Sequence, residues 1–242
     1  MMPSFVRNPL LATLAVAALG AGPASFAEVT ALTPFEAEYK VKIKGLRGQM
    51  TLSLEAVDGG YIARSELKPR GLASMFARGR LEESTRFGIA DVRVVPASYT
   101  MTDTIGKNEK SGALEFDWAS GRATGSTEEG PVAHDIDNAT YDRASIQYAL
   151  MLDLLNGRSA TSYTMLDGDR RKALTISHLG DSVLDVPLGR YTVSGVSHQA
   201  SGSSRMTTLY CASVLGFLPV QIEQYKNDKL QVRAQLVRYT PR

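Results

Sequence analysis

From Phe35 onward, apolar and charged side chains alternate with a period of two. Phe35, Ala37, Tyr39, Val41 and Ile43 share one side, and Glu36, Glu38, Lys40, Lys42 and Lys44 share the other. Successive side chains of an extended chain point to opposite faces, so this pattern predicts a strand with one face buried and one in water. Gly45 to Gly48 turns the chain into a second run, Met50, Leu52, Leu54 and Ala56. Asp58-Gly59-Gly60 leads to a third, Tyr61, Ala63, Ser65 and Leu67. The same spacing predicts strands near Arg80–Phe87, Val92–Thr104, Glu109–Trp118 and Gly121–Thr127. Beyond them come Ser162–Leu166, Lys172–His178, Ser182–Val186, Arg190–His198, Ser204–Ala212, Val220–Tyr225 and Leu230–Tyr239. Turn residues separate nearly all of these: Asp167-Gly168-Asp169, Gly180-Asp181, Pro187-Leu188-Gly189 and Asn227-Asp228.

One segment breaks the alternation. Between Tyr141 and Asn156, Ala144, Tyr148, Leu152 and Leu155 recur at helical spacing. Asn138 or Thr140 is placed to cap the start, Asp142 lies in the first turn, and Gly157 stops the helix. A shorter helical candidate, Gly71 to Gly79, carries a glycine at each end. The expected fold is mainly β: an antiparallel up-and-down curved sheet or open barrel, with one central apolar helix packed on its concave side. Twist accumulates across many strands, so a sheet this long must curl.

Composition narrows the class. The 242 residues carry 27 basic and 25 acidic side chains, a formal charge of +2, which leaves no electrostatic footprint for nucleic acid. At the N-terminus, Arg7 precedes the uncharged run Leu10–Leu19, and Ser25-Phe26-Ala27 follows as a small-x-small site. That layout predicts a cleavable signal peptide over residues 1–27, a single domain over 28–242, and delivery to the periplasm of a mature chain with no transmembrane span. Cys211 is the sole cysteine, so no intramolecular disulfide forms, and its strand-like setting predicts a buried, inert thiol.

Each catalytic signature fails on context. Gly180-Asp181-Ser182 resembles the start of a hydrolase block, but strand patterns flank it and Leu188 stands where the later histidine would be; a hairpin turn is the expectation. Ser65-Glu66-Leu67-Lys68 sits in strand alternation and runs into Pro69. His134, His178 and His198 are too far apart in sequence for a local metal motif, and neither a metal nor a cofactor is expected. Asp142, Arg143 and Ser145 form the one polar cluster of interest. Asp142 and Ser145 are expected to satisfy the free N–H groups of the helix start while Arg143 reaches a strand carboxylate; anion binding is the alternative.

Several stretches resemble the bacterial exported family labelled domain of unknown function 3108. They are Phe35-Glu36-Ala37-Glu38-Tyr39, Phe116-Asp117-Trp118, Tyr141-Asp142-Arg143-Ala144-Ser145 and Gly216-Phe217-Leu218-Pro219-Val220. The resemblance implies an envelope-located antiparallel β domain and supplies no activity or catalytic residue. By architecture alone, the chain is similar to periplasmic lipoprotein carriers, whose curved sheets hold acyl chains beneath helices. The first functional expectation is therefore a non-enzymatic binding or carrier module for a lipid or other amphiphile. Its candidate ligand-binding residues are Leu72, Met75, Phe76, Tyr141, Arg143, Tyr148 and Leu152. An envelope assembly factor contacting a protein partner comes second. A hydrolase of envelope polymer comes third, and would need Asp142, Arg143, His134 or His178 to converge.

Overall fold

The structure is a computed structural model describing residues 31–242 except 77 and 107, and, of Met75 and Phe76, only the backbone. The predicted signal peptide lies outside the described residues. The N-terminal half runs β1 (Phe35–Ile43), β2 (Leu46–Val57), β3 (Gly60–Arg70), a single helical turn α1 (Ala73–Phe76), β4 (Leu81–Ala90), β5 (Arg93–Asp103), β6 (Lys110–Asp117), β7 (Arg122–Thr127) and β8 (Gly130–Asp135). The C-terminal half runs β9 (Thr140–Asp142), α2 (Ser145–Leu155), β10 (Ser162–Asp167), β11 (Arg170–Val186), β12 (Gly189–Ala200), β13 (Arg205–Ala212), β14 (Leu218–Lys226) and β15 (Lys229–Pro241).

The fifteen strands among the described residues form one sheet in the order β8-β7-β6-β5-β4-β3-β2-β1-β15-β14-β13-β12-β11-β10-β9. Each hairpin lays a strand beside its predecessor, and the two ends of the described chain meet where β1 pairs with β15. The fold is thus mainly β, with a large, mostly antiparallel sheet that does not close on itself. Among the described residues the one parallel pair is β9 with β10, and α2 supplies the crossover that a parallel connection requires.

The alternation of β1 is read directly into burial: Phe35, Ala37, Tyr39 and Val41 are buried, and the charged residues between them face outward. These side chains meet Leu54, Phe87, Val193, Val196, Leu218 and Leu236 from other strands, and Tyr148 to Leu152 from α2, in one core. α2 packs on β4, β5 and β9. Its buried stretch is a continuous run, Tyr148 to Asp153, rather than a narrow stripe, because strands surround the helix on more than one side.

Three expectations are corrected. The helix starts at Ser145, not Tyr141; Tyr141 and Asp142 belong to β9, where Tyr141 pairs with Met165. Gly180-Asp181 is not a turn. The two strands expected on either side of it are one 17-residue strand, β11, with a bulge between His178 and Gly180, and Gly180 absorbs the irregularity at φ 81°. β8, which opens Gly-Pro, and the three-residue β9 were not expected, because both are too short or too polar to show a period.

Candidate functional site

The sequence-derived candidates divide into separate places. Tyr148 and Leu152 are core residues: the Tyr148 ring stacks on Phe87 and Phe35 at centroid distances of 5.4 and 6.5 Å, and Leu152 has no exposed surface. Tyr141 is buried on β9, edge-on to Tyr163 at 5.1 Å, and burial first of all, with the nearby Asp153 charge, pushes its phenol up to about 12. Leu72 lies just before α1, which itself packs on β2 and β3, and is 75% exposed. The Met75 and Phe76 side chains lie outside the described ones. The structure therefore brings Tyr141, Tyr148 and Leu152 together as core and sets Leu72 on a different group of strands.

The entry to α2 is built by Asp142 and Ser145. One Asp142 carboxylate oxygen accepts the Ala144 and Ser145 N–H groups, each at 2.8 Å, and the other accepts the Thr85 hydroxyl of β4 at 2.8 Å. In return the Ser145 hydroxyl accepts the Asp142 N–H at 3.0 Å. This is a reciprocal cap in which Asp142 takes the place expected for Asn138 or Thr140. Burial raises the Asp142 carboxyl above its ordinary value, against the lowering effect of these donors.

Arg143 does reach strand carboxylates. Its guanidinium contacts Glu83 of β4 at 3.1 Å and Asp167 of β10 at 3.3 Å. Tyr99 of β5 donates to the same Glu83 at 2.6 Å, and Lys172 pairs with Asp167. Burial alone would raise the Asp167 carboxyl, but Lys172 and Arg143 outweigh it and hold it low. His134 of β8 meets the Gly168 carbonyl at 3.0 Å. Side chains thus tie β4, β5 and β8 to β9, β10 and the turn after it, bridging the two ends of the sheet where no main-chain ladder does.

The remaining catalytic candidates do not assemble. Asp142 is enclosed by its capping bonds, and His178 contacts the Ala160 carbonyl. Cys211 is buried in the core, and desolvation pushes its thiol up to about 12, so the nucleophilic thiolate is suppressed. Among the described residues no group of three His, Cys, Asp or Glu is placed to hold a metal ion.

Hairpin register creates a site that motif reading missed. On the polar face of the first five strands, Glu36, Ser53, Arg64, Ser84 and Thr100 stand side by side in one row. Glu38, Thr51, Glu66, Glu82 and Thr102 form the next. Together they line a cleft of about 510 Å³, with Arg238 at its edge. Glu66 and Glu82 face each other directly, a repulsive pairing that Lys68 and Arg80 relieve from outside: Lys68 lies 2.6 Å from Glu66, and Arg80 lies 2.7 Å from Glu82. Arg238 pairs with Glu38, and Arg242 with Glu36. The Thr51, Ser53, Ser84, Thr100 and Thr102 hydroxyls make no hydrogen bond with any described residue. Only the alternation of β1 to β5, combined with the turn positions that set register, could have pointed to these residues in advance.

None of the curated proteins compared matches this chain. Among solved structures, a β-barrel-like protein of the domain of unknown function DUF1849 from Brucella abortus superposes with a TM-score of 0.58 at 14% identity. The match covers 87% of this chain and 98% of that one, and it shows a shared fold. A protein from Bacteroides fragilis described as exported, with a YmcC-like fold, gives a TM-score of 0.31 at 11% identity over 86% of this chain and 94% of that one. The family described as "Protein of unknown function (DUF3108)" matches residues 35–231, so the chain belongs to that family.

Proposed function

We propose that this protein is a non-enzymatic binding module, exported to the cell envelope, that holds a polyhydroxylated ligand such as an envelope glycan in the cleft over β1 to β5. The observation that carries this reading is the group of five hydroxyls with no hydrogen bond to any described residue, set beside the Glu36, Glu38, Glu66 and Glu82 carboxylates. A sugar hydroxyl donates to a carboxylate and accepts from a serine or threonine, so such a surface can satisfy both halves of its hydrogen bonding. The signal-peptide pattern expected over residues 1–27 supports the location. The amphiphile expected beneath α2 has less support, because Tyr148 and Leu152 are already packed against Phe35, Phe87 and their neighbours.

The test is an NMR titration of the purified protein with soluble glycan fragments released from the envelope. Shifts confined to β1 to β5 and weakened in Ser84→Ala/Thr100→Val support the proposal. No shift with any fragment, or recovery of stoichiometric acyl lipid by organic extraction, overturns it.

A second reading, an assembly factor, rests on the β11–β12 hairpin, which leaves Leu179 and Val183 exposed. Crosslinking in the native envelope through this hairpin should then trap one protein partner; a monomer at every concentration without crosslinks argues against it.

A further inference from the structure

Beyond the cleft, at the end of the sheet carrying the β1–β2 and β14–β15 turns, like charges are stacked rather than dispersed. Arg70, Arg47, Lys42 and Arg233 are directly opposite one another across β3, β2, β1 and β15. Arg205, Lys226 and Lys229 are likewise mutual partners across β13, β14 and β15. The Lys44 N–H donates to the Gln231 carbonyl at 2.9 Å, which draws the two clusters together. Arg233 is neutralised by Glu223, and Arg70 bonds neutral Gln49. Lys42, Arg47, Arg205, Lys226 and Lys229 have no ion pair among the described residues. Like charges directly opposite on a sheet destabilise it, so folding alone gives no reason for this row.

Three exposed leucines lie at the same end of the sheet, Leu46 and Leu230 on the face opposite the cation row. Leu46, 52% exposed, precedes Arg47; Leu230, 40% exposed, follows Lys229; Leu72, 75% exposed, lies two residues beyond Arg70. The Arg47–Arg70 pairing and the Lys44–Gln231 bond place all three at the same end of the sheet. A sheet end with unpaired cations on one face and exposed leucines on the other, met end-on, matches a surface that is anionic outside and apolar beneath. A soluble polyanion would recruit the cations and leave the leucines without a partner.

We propose that this end of the sheet docks on an anionic lipid bilayer, with Lys42, Arg47, Lys226 and Lys229 against the headgroups and Leu46, Leu72 and Leu230 entering the interface. Docking of this kind leaves the cleft on the flank of the sheet, open along the membrane plane.

The experiment is co-sedimentation of the purified protein with vesicles of phosphatidylcholine alone or with added phosphatidylglycerol, at low and high salt. Binding is expected only to the vesicles containing phosphatidylglycerol. Lys42→Gln/Arg47→Gln should weaken it by about thirtyfold, at roughly fivefold per charge removed near the surface. Leu46→Ser/Leu230→Ser should weaken it by about tenfold or more, and unchanged circular dichroism would show that both variants fold. Two results overturn the proposal: no sedimentation of the folded protein with anionic vesicles at low salt, or binding that ignores the leucine substitutions and equals capture on dextran sulfate beads. The second would assign the row to a soluble polyanion.

Discussion

Replacing Asp142 by alanine is expected to cost about 3 kcal/mol of folding stability. The carboxylate has no exposed surface and accepts three hydrogen bonds, from Ala144, Ser145 and Thr85. Hydrogen bonds to a charged group contribute about 1.5–3 kcal/mol each, and a buried N–H left without a partner costs about 1–3 kcal/mol. Three such losses would exceed 4 kcal/mol, but removing the charge also removes its desolvation cost, which brings the net to roughly 3. Asp142→Asn separates the contributions. Its amide oxygen still accepts from the two backbone N–H groups, and its amide nitrogen can donate to the Thr85 hydroxyl, so about 1 kcal/mol is expected. Urea unfolding followed by circular dichroism and by Trp118 fluorescence measures both. Equal losses for the two variants, or a loss under about 1 kcal/mol for alanine, would refute the assignment of the α2 entry to these hydrogen bonds.

Other outcomes follow from single positions. Leu152→Ala should cost about 2–5 kcal/mol by cavity formation in urea unfolding, whereas a residue lining an open ligand groove would cost far less. Gly125→Ala should destabilise by about 1–3 kcal/mol, since an added Cβ would stand 1.9 Å from the Ala113 carbonyl on β6, and unchanged thermal unfolding would contradict that clash. His198, between Ile176 and Thr207 on neighbouring strands, has its imidazole pushed down from 6.5 to about 4 by burial. The unfolded chain therefore takes up this proton first. The His198 contribution is whole above pH 6.5 and is lost as pH falls toward 4, by roughly 2–3 kcal/mol between pH 7.5 and 4.5. His198→Leu should remove that part of the pH dependence, and an unaltered profile would assign it to other groups.

Much of the fold was legible because its strands are joined by short turns. The alternation from Phe35 to Lys44 marks β1 with its buried and exposed faces, and Asp58-Gly59-Gly60 marks the next reversal. Legibility failed where pairing, not local pattern, makes the strand. Tyr141 and Asp142 read as helix because the apolar spacing continues through them, yet hydrogen bonds to β10 hold them extended. Gly180-Asp181 carries every local mark of a turn, but β12 pairs with the chain on both sides of it, and a bulge accommodates the extra residue.

By itself the sequence determined the two-faced strands, the presence of the α2 helix and its stop at Gly157, the buried cysteine and the family resemblance, because each depends on residues a few positions apart. Only the tertiary structure decided which strands are neighbours, and with that the stacked cations from Arg70 to Arg233, the two-row cleft and the side-chain bridges across the open ends of the sheet. Those features depend on register between strands distant in the chain, and Lys42 stands beside Arg233 only after every intervening hairpin has folded back on the one before it.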